Sequence, residues 1–401
     1  MQEGANTVLI LSVGQTIEPL EFALAEHTPQ GVVFVASQGT QAVAGELVRR
    51  YGNSLRFHTL LLDDPEDLGE VFRKGREALQ KALEWEARTI VADITGGTKT
   101  MSAGMVLALT GQGVTFSYVG GEQRDQMGRV KSGSERLRVL EDPTFRYGLR
   151  EWEGFRRAWN QCDYRAAQDF LSELLARPLS PSEKRFYQHL QGVAEAMLDW
   201  DLFHHKAAWQ KLETHLEPAL TVAEAWGHGA KVRVLQGLQT AKARLREILD
   251  REGKPTFALL ADLLANAERR AARGRYDDAL ARLYRAVELA AEADLYERTG
   301  IELRVASTYP PPLQDLAGRK TPGLKEALGL AFEIDTRLGH SGTLAQQLYG
   351  DYSSKLQGLL QQRHNSILAH GVKPVKLEAL RGLQDYLRER GLEPAPAWPH
   401  W

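Results

Sequence analysis

Thr89-Ile90-Val91-Ala92-Asp93-Ile94-Thr95-Gly96-Gly97-Thr98-Lys99-Thr100 is a short apolar run that stops in glycine and small polar residues. Five residues of Thr89–Asp93 are strand length, and the run is apolar on both faces, as in a strand covered by helices on each side. The stretch from Thr100 to Gly111 that follows has helical spacing. Between the two, Gly96 and Gly97 let the backbone turn tightly and approach a ligand, and a helix N-terminus offers unpaired N–H groups to an anion. Thr95, Thr98 and Ser102 add hydroxyls there and Lys99 a mobile charge. As a structural element alone, the same loop is a turn with Thr98 as N-cap.

Working outward, the pattern repeats. Val8–Leu11, Val32–Ala36, Phe57–Leu62 and Val114–Tyr118 are further strand-length apolar runs, with helical patterns at Gln41–Tyr51 and Glu66–Trp85 between them. Alternating β and α predicts an α/β, Rossmann-like domain: a doubly wound, mostly parallel sheet that binds ligands beyond the carboxyl ends of its strands. Those ends are where small polar residues collect. Ser12, Gly14, Gln15 and Thr16 follow the first strand, Ser37, Gln38, Gly39 and Thr40 the second, and Thr95, Gly96, Gly97, Thr98 and Lys99 the fourth. No GxGxxG follows the first strand. With Lys99 as a P-loop lysine, the required glycines would fall on Asp93 and Thr98, so neither standard nucleotide loop is present.

After Asp142-Pro143 the texture changes to Ala, Leu, Glu and Arg at helical spacing. The expected domains are 1–145 for ligand sensing, 146–255 as a helical connecting region and 256–401 as a second helical domain. Asn160–Ala167 and Arg273–Leu280 resemble each other, each reading as a tight turn leading into an amphipathic helix. A hairpin is expected around Ser132-Gly133, and a poorly ordered tail around Pro396 and Pro399.

Composition narrows the function classes. The 401 residues carry 50 basic and 52 acidic side chains, a net charge of −2, which excludes nucleic-acid binding driven by bulk positive charge. Cys162 is the only cysteine, so neither an intrachain disulfide nor a Cys-based zinc cluster can form, and no metal site is expected. No uninterrupted apolar stretch approaches the roughly 18 residues of a membrane span, and the N-terminal apolar run lacks a basic flank. A soluble, cytoplasmic protein is expected.

A second candidate site lies near the C-terminus, in Arg363-His364-Asn365-Ser366-Ile367-Leu368-Ala369-His370-Gly371. Read as one capped helix ending at Gly371, it puts Arg363 and His370 seven residues apart, about two turns, on nearly the same face. Ser366 falls between them, and His364 and Asn365 point elsewhere. Arginine supplies forked donors matched to phosphate oxygens, and histidine transfers protons at neutral pH. That pair suits metal-free RNA cleavage, which needs a base for the ribose 2′-OH, charge on the phosphorane and an acid for the leaving oxygen. Alternatively, Arg363 is a solvated helix residue and His370 a favourable charge at the helix C-terminus.

Taken together, Asp93–Lys99 resembles the ligand loop of CARF domains and Arg363–Gly371 resembles the Arg-x4–6-His motif of HEPN ribonucleases. In this order, they resemble the CARF–HEPN ribonucleases of type III CRISPR systems. Arg275–Glu288 is also similar to the helical portion of one branch of that group. The resemblance implies a homodimer that binds cyclic oligoadenylate, most often the tetra-adenylate, as an allosteric activator and needs no other cofactor. It implies metal-independent cleavage of single-stranded RNA with 2′,3′-cyclic phosphate ends, and some relatives also hydrolyse their activator. Arg363 and His370 match the catalytic pair, His364 and Asn365 its supporting polar positions, and Thr95–Lys99 the activator loop. Ser12–Thr16 and Ser37–Thr40 match by position after their strands. A non-catalytic nucleotide-sensing regulator, whose helices bind a protein or DNA partner, stands as the alternative, with a metabolic Rossmann enzyme as a third reading.

Overall fold

Apolar, β-branched runs form β1 (Thr7–Ser12), β2 (Gly31–Ser37), β3 (Arg56–Leu62), β4 (Thr89–Asp93) and β5 (Thr115–Gly121) of the computed structural model. It describes residues 6–121, 123, 133–251, 253–321, 323–366, 368 and 371–401, with Gln362 and His364 described by their main chain alone. The sheet order is β3-β2-β1-β4-β5-β6, where β6 is Glu135–Leu140. The first five strands are parallel and β6 runs antiparallel to β5. This is the doubly wound, mostly parallel sheet that the sequence predicts. β6 was not among the expected strands, and the turn expected at Ser132 lies outside the described residues.

The inner strands β1, β2 and β4 are largely apolar because both their faces are covered. Val8, Ile10, Val33 and Val35 pack on one side with α3 (Leu68–Glu84) and α4 (Lys99–Leu109). Leu9, Leu11, Val32 and Phe34 pack on the other with α1 (Glu18–His27) and α2 (Gln41–Tyr51). Successive side chains thus feed opposite layers. Sequence reading missed α1. Its N-cap position is Ile17, which makes no side-chain cap bond, so its start is marked only by Pro19 and the acidic Glu18 and Glu21 of the first turn.

The chain divides into two compact units, Met1–Arg150 and Glu151–Trp401. Around the boundary lie α5 (Pro143–Arg146) and α6 (Leu149–Asn160). Asp142, where the sequence texture changes, caps α5 through Thr144 N (2.8 Å) and accepts from Gly111 N (2.6 Å).

The second unit continues with α7 (Tyr164–Leu175), α8 (Pro181–Asp201), α9 (His205–Ala225), α10 (Gly229–Asp250), α11 (Phe257–Ala272) and α12 (Tyr276–Thr299). After them come α13 (Leu324–Arg337), α14 (Leu344–Asp351), α15 (Gln357–His364) and α16 (Leu377–Arg388). Its buried side chains form one core in α6–α10 and another in α11–α16. The cores meet through buried Asp201 on α8, which accepts from Arg269 (3.0 Å) and Asn266 (2.9 Å) and pairs with Arg270 (2.6 Å) on α11. Among the described residues, no helix is long and apolar enough to cross a membrane.

The two similar segments are both turns entering helices, α7 and α12, with Cys162 and Gly274 at positive φ in equivalent places. They also touch: Arg273 of the second turn donates to Asp163 (2.7 Å) and to the Cys162 carbonyl (3.2 Å) of the first.

The tail departs from expectation. Residues 394–401 form a strap across α6–α11, with Trp398 only 6% exposed. The Arg269 guanidinium sits 3.7 Å over the Trp398 ring, and Trp401 packs edge-on to Trp152, Phe155 and Trp159. Prolines remove regular structure, but the tryptophans between and after them supply the burial that orders the segment.

Candidate functional site

In the sheet order above, β1 and β4 are neighbours whose chains continue to opposite sides, the switch point at which doubly wound sheets open a crevice. The loops after these strands are in backbone contact there. A Cβ on Gly96 would lie 2.3 Å from Ser12 O and 2.6 Å from Gly14 N, and one on Gly14 would lie 2.8 Å from Gly97 N. Gly97 adopts φ +85°, a second demand for glycine. Ser12 Oγ donates to Gly96 O at 2.7 Å and ties the loops together.

Most of the candidate hydroxyls are already engaged in building this crevice. Thr95 Oγ1 accepts from Val119 N (2.7 Å). Thr98 Oγ1 caps α4 through Met101 N (3.1 Å) and donates to Pro65 O (3.0 Å), so its N-cap role is real. Ser102 donates to Ile94 O (3.0 Å). Ser37 and Thr40 bond each other, with Thr40 Oγ1 also accepting from Ser37 N (3.1 Å). What stays open are Gln15, Thr16, Gln38, Gly39 and Lys99, all exposed. Among the described residues, the N–H groups of Gly14, Gly96, Gly97 and Thr98 make no hydrogen bond, a cluster of donors suited to an anion.

Beneath the loop lies a polar chain that sequence reading missed. Asp93, fully buried at the end of β4, accepts from Thr95 N (3.0 Å) and Ser117 Oγ (2.8 Å), and Ser117 Oγ meets His27 Nε2 at 3.0 Å. Burial raises the Asp93 pKa, and burial lowers that of His27 against the pull of Asp93 and Glu26. For His27 the folded state binds fewer protons than the unfolded chain. Its contribution to stability is therefore complete at neutral pH and is lost as pH falls through the ordinary histidine range. The melting temperature of the protein is expected to fall more steeply between about pH 7 and about pH 5 than that of His27→Gln. Parallel curves would contradict this coupling.

The C-terminal candidate differs from its expected geometry. The segment opens with a π-helical turn, Tyr352–Leu356, and α15 ends at His364, so no single helix reaches Gly371. Asn365 is the C-cap, and buried Ser366 bonds back to Arg363 O through both its N (3.0 Å) and its Oγ (2.9 Å). Such local side-chain bonds compete with helix continuation. The chain then folds back, with Gly371 N on Ser366 O (3.1 Å) and Lys373 N on Asn365 O (3.0 Å). Gly371 serves this return, where a Cβ would lie 2.1 Å from Asn365 O, and is not the helix stop. Arg363 thus lies in the last turn of α15. His370 and the His364 side chain lie outside the described residues.

Arg363 is half-buried, and its guanidinium carbon sits 4.0 Å over the ring of Tyr284 on α12. Among the described residues it forms no ion pair or side-chain hydrogen bond, and its buried Nε has no partner. Among the described residues, its terminal N–H groups carry no partner that would compete with a ligand oxygen. Tyr284 lies inside the quoted Arg275–Glu288 stretch, but nothing in the spacing ties it to Arg363. No group of three His, Cys, Asp or Glu side chains among the described residues is placed to hold a metal ion.

Comparison with known families decides the assignment. Residues 248–390 match the Csm6 HEPN domain and residues 147–266 match the Csm6 6H domain. The chain belongs to the Csm6 family. The HEPN match contains Arg363 and Tyr284, while the strap at 394–401 lies beyond it. A structure of Enterococcus italicus Csm6 bound to cyclic hexa-2′-fluoro-hexa-dAMP is similar over 96% of this chain and 94% of that one, at 12% identity and a TM-score of 0.48. A type III CRISPR defence DNA nuclease activated by cyclic oligoadenylate covers 50% of this chain and 34% of its own, at 20% identity and a TM-score of 0.27. Can2 from Sulfobacillus thermosulfidooxidans, in complex with cyclic tetra-adenylate, covers 50% and 68%, at 13% identity and a TM-score of 0.27. Comparison with curated protein sequences finds no significant match.

Proposed function

We propose that the protein is a metal-independent endonuclease for single-stranded RNA, switched on by cyclic oligoadenylate in type III CRISPR antiviral defence. The observation that carries this reading is Arg363: it lies in the Csm6 HEPN match, stacked on Tyr284 and with no ion pair or side-chain hydrogen bond among the described residues. There it would hold the scissile phosphate and stabilise the charge that builds on the phosphorane. His370 is assigned the proton transfers, with His364 and Asn365 positioning the pair. One histidine cannot act as base and acid in the same step, so a cytoplasmic homodimer presenting two HEPN sites is part of the proposal. The products are RNA ends with 2′,3′-cyclic phosphates.

The activator is assigned to the crevice between β1 and β4, where free loop N–H groups and exposed Lys99 meet an anionic ring. Cyclic tetra-adenylate is the proposed species, and linearisation of that ring by the purified protein tests activator hydrolysis at the same crevice. Activation requires that the ligand favour the arrangement in which the HEPN pair is aligned. Arg363→Ala and His370→Ala are each expected to lower activated RNA cleavage by about 100-fold or more without changing activator affinity. Wild-type rates in both variants, with activator still bound, would favour the non-catalytic regulator instead.

A further inference from the structure

An arginine that must grip a phosphate in the transition state has two requirements that conflict. It must be held still, and its N–H edge must stay unoccupied. A carboxylate partner satisfies the first and consumes two of the five donors. The Arg363 site meets both by a different contact. The guanidinium carbon lies 4.0 Å over the Tyr284 ring, an attraction through the cation's face that leaves its edge free. Tyr284 is itself anchored at both ends. Its ring is part of the α11–α16 core, and its hydroxyl accepts from Leu324 N, the first residue of α13, at 3.3 Å. The Arg363 carbonyl is fixed separately by Ser366, so the side chain is gripped at its root and at its head.

We propose that Tyr284 is the positioning residue for Arg363, its ring fixing the plane of the guanidinium so that the terminal N–H groups face the RNA phosphate. This rests on the ribonuclease reading above. A core tyrosine with no such role would lower stability when replaced but leave the turnover of folded enzyme alone. A positioning role predicts a change in kcat, because the misaligned fork loses contacts that matter most in the transition state.

The test is activated cleavage of labelled RNA by the full-length protein, with kcat and KM separated, for Tyr284→Leu, Tyr284→Phe and Arg363→Ala. Tyr284→Leu is expected to lower kcat about tenfold or more with a smaller change in KM, and Tyr284→Phe to recover it to within about threefold. In parallel, the Arg363 Nε–H resonance is expected upfield, under the ring, in wild type and Tyr284→Phe, and at its ordinary position in Tyr284→Leu. If Tyr284→Leu does not fold, Tyr284→Met serves for both readouts. Loss of cleavage in Arg363→Ala with full kcat in Tyr284→Leu would overturn this inference alone. Full cleavage in Arg363→Ala would overturn the ribonuclease reading and this inference with it.

Discussion

Deleting residues 394–401 is expected to lower the melting temperature of the helical unit by about 10 °C or more and to make the protein prone to aggregation. The strap contributes two tryptophans to one core. Trp398 lies 5.0 Å from Trp200 and 5.6 Å from Tyr164, and Trp401 fills the space among Trp152, Phe155 and Trp159. Truncating one buried tryptophan costs about 3–5 kcal/mol. The strap also makes hydrogen bonds with α6, α10 and α11. Trp159 Nε1 donates to Pro399 O (3.0 Å), Arg244 to Pro396 O (3.1 Å) and Ala395 N to Ala261 O (2.8 Å). Asn160 bonds both the N–H (2.8 Å) and the main-chain oxygen (3.1 Å) of Trp401. The change per kcal/mol for a unit of this size is about 2–4 °C, so the single substitution Trp398→Ala should already be visible by calorimetry. An unchanged melting temperature in the deletion would show that the strap is a surface ornament.

Gly96→Ala is expected to abolish the response to activator, with affinity weakened about 100-fold or more. The new Cβ would lie 2.3 Å from Ser12 O and 2.6 Å from Gly14 N, and both neighbours are backbone. No side chain can rotate away, so the loops after β1 and β4 must separate. Separation breaks the Ser12–Gly96 bond and disperses the free N–H groups that face the crevice. Overpacking of this kind costs about 1–3 kcal/mol in stability, small enough for the unit to remain folded while the site is lost. Titration calorimetry with cyclic tetra-adenylate reads the effect directly. Wild-type affinity in Gly96→Ala would place the activator elsewhere.

What was legible in the sequence, and what was not, follows from the range of each signal. The strands announce themselves because burial on both faces demands continuous apolar runs, and the glycines at 96 and 97 because close approach demands them. The hydroxyls of Thr95 and Thr98 were legible as residues but not as partners. Apart from the N-cap bond of Thr98, their bonds go to Val119 and Pro65, which are remote in sequence. The end of α15 was misread for the same reason: Gly371 resembles a helix stop, and only its contact with Asn365 shows that it serves a return of the chain. Tyr284 lies 79 residues before Arg363, and no periodicity links them. In the tail, the prolines signal irregular chain locally, whereas the burial of Trp398 and Trp401 depends on helices remote in sequence.

A ribonuclease switched by a cyclic nucleotide can be tested in one assay. Labelled single-stranded RNA is incubated with the protein in EDTA, alone and with cyclic tri-, tetra- or hexa-adenylate. The expected result is slow cutting that one ring, the tetra-adenylate, accelerates, unaffected by the chelator and leaving 2′,3′-cyclic phosphate ends. Activator binding without RNA cleavage, or cleavage that stops in EDTA, would contradict it.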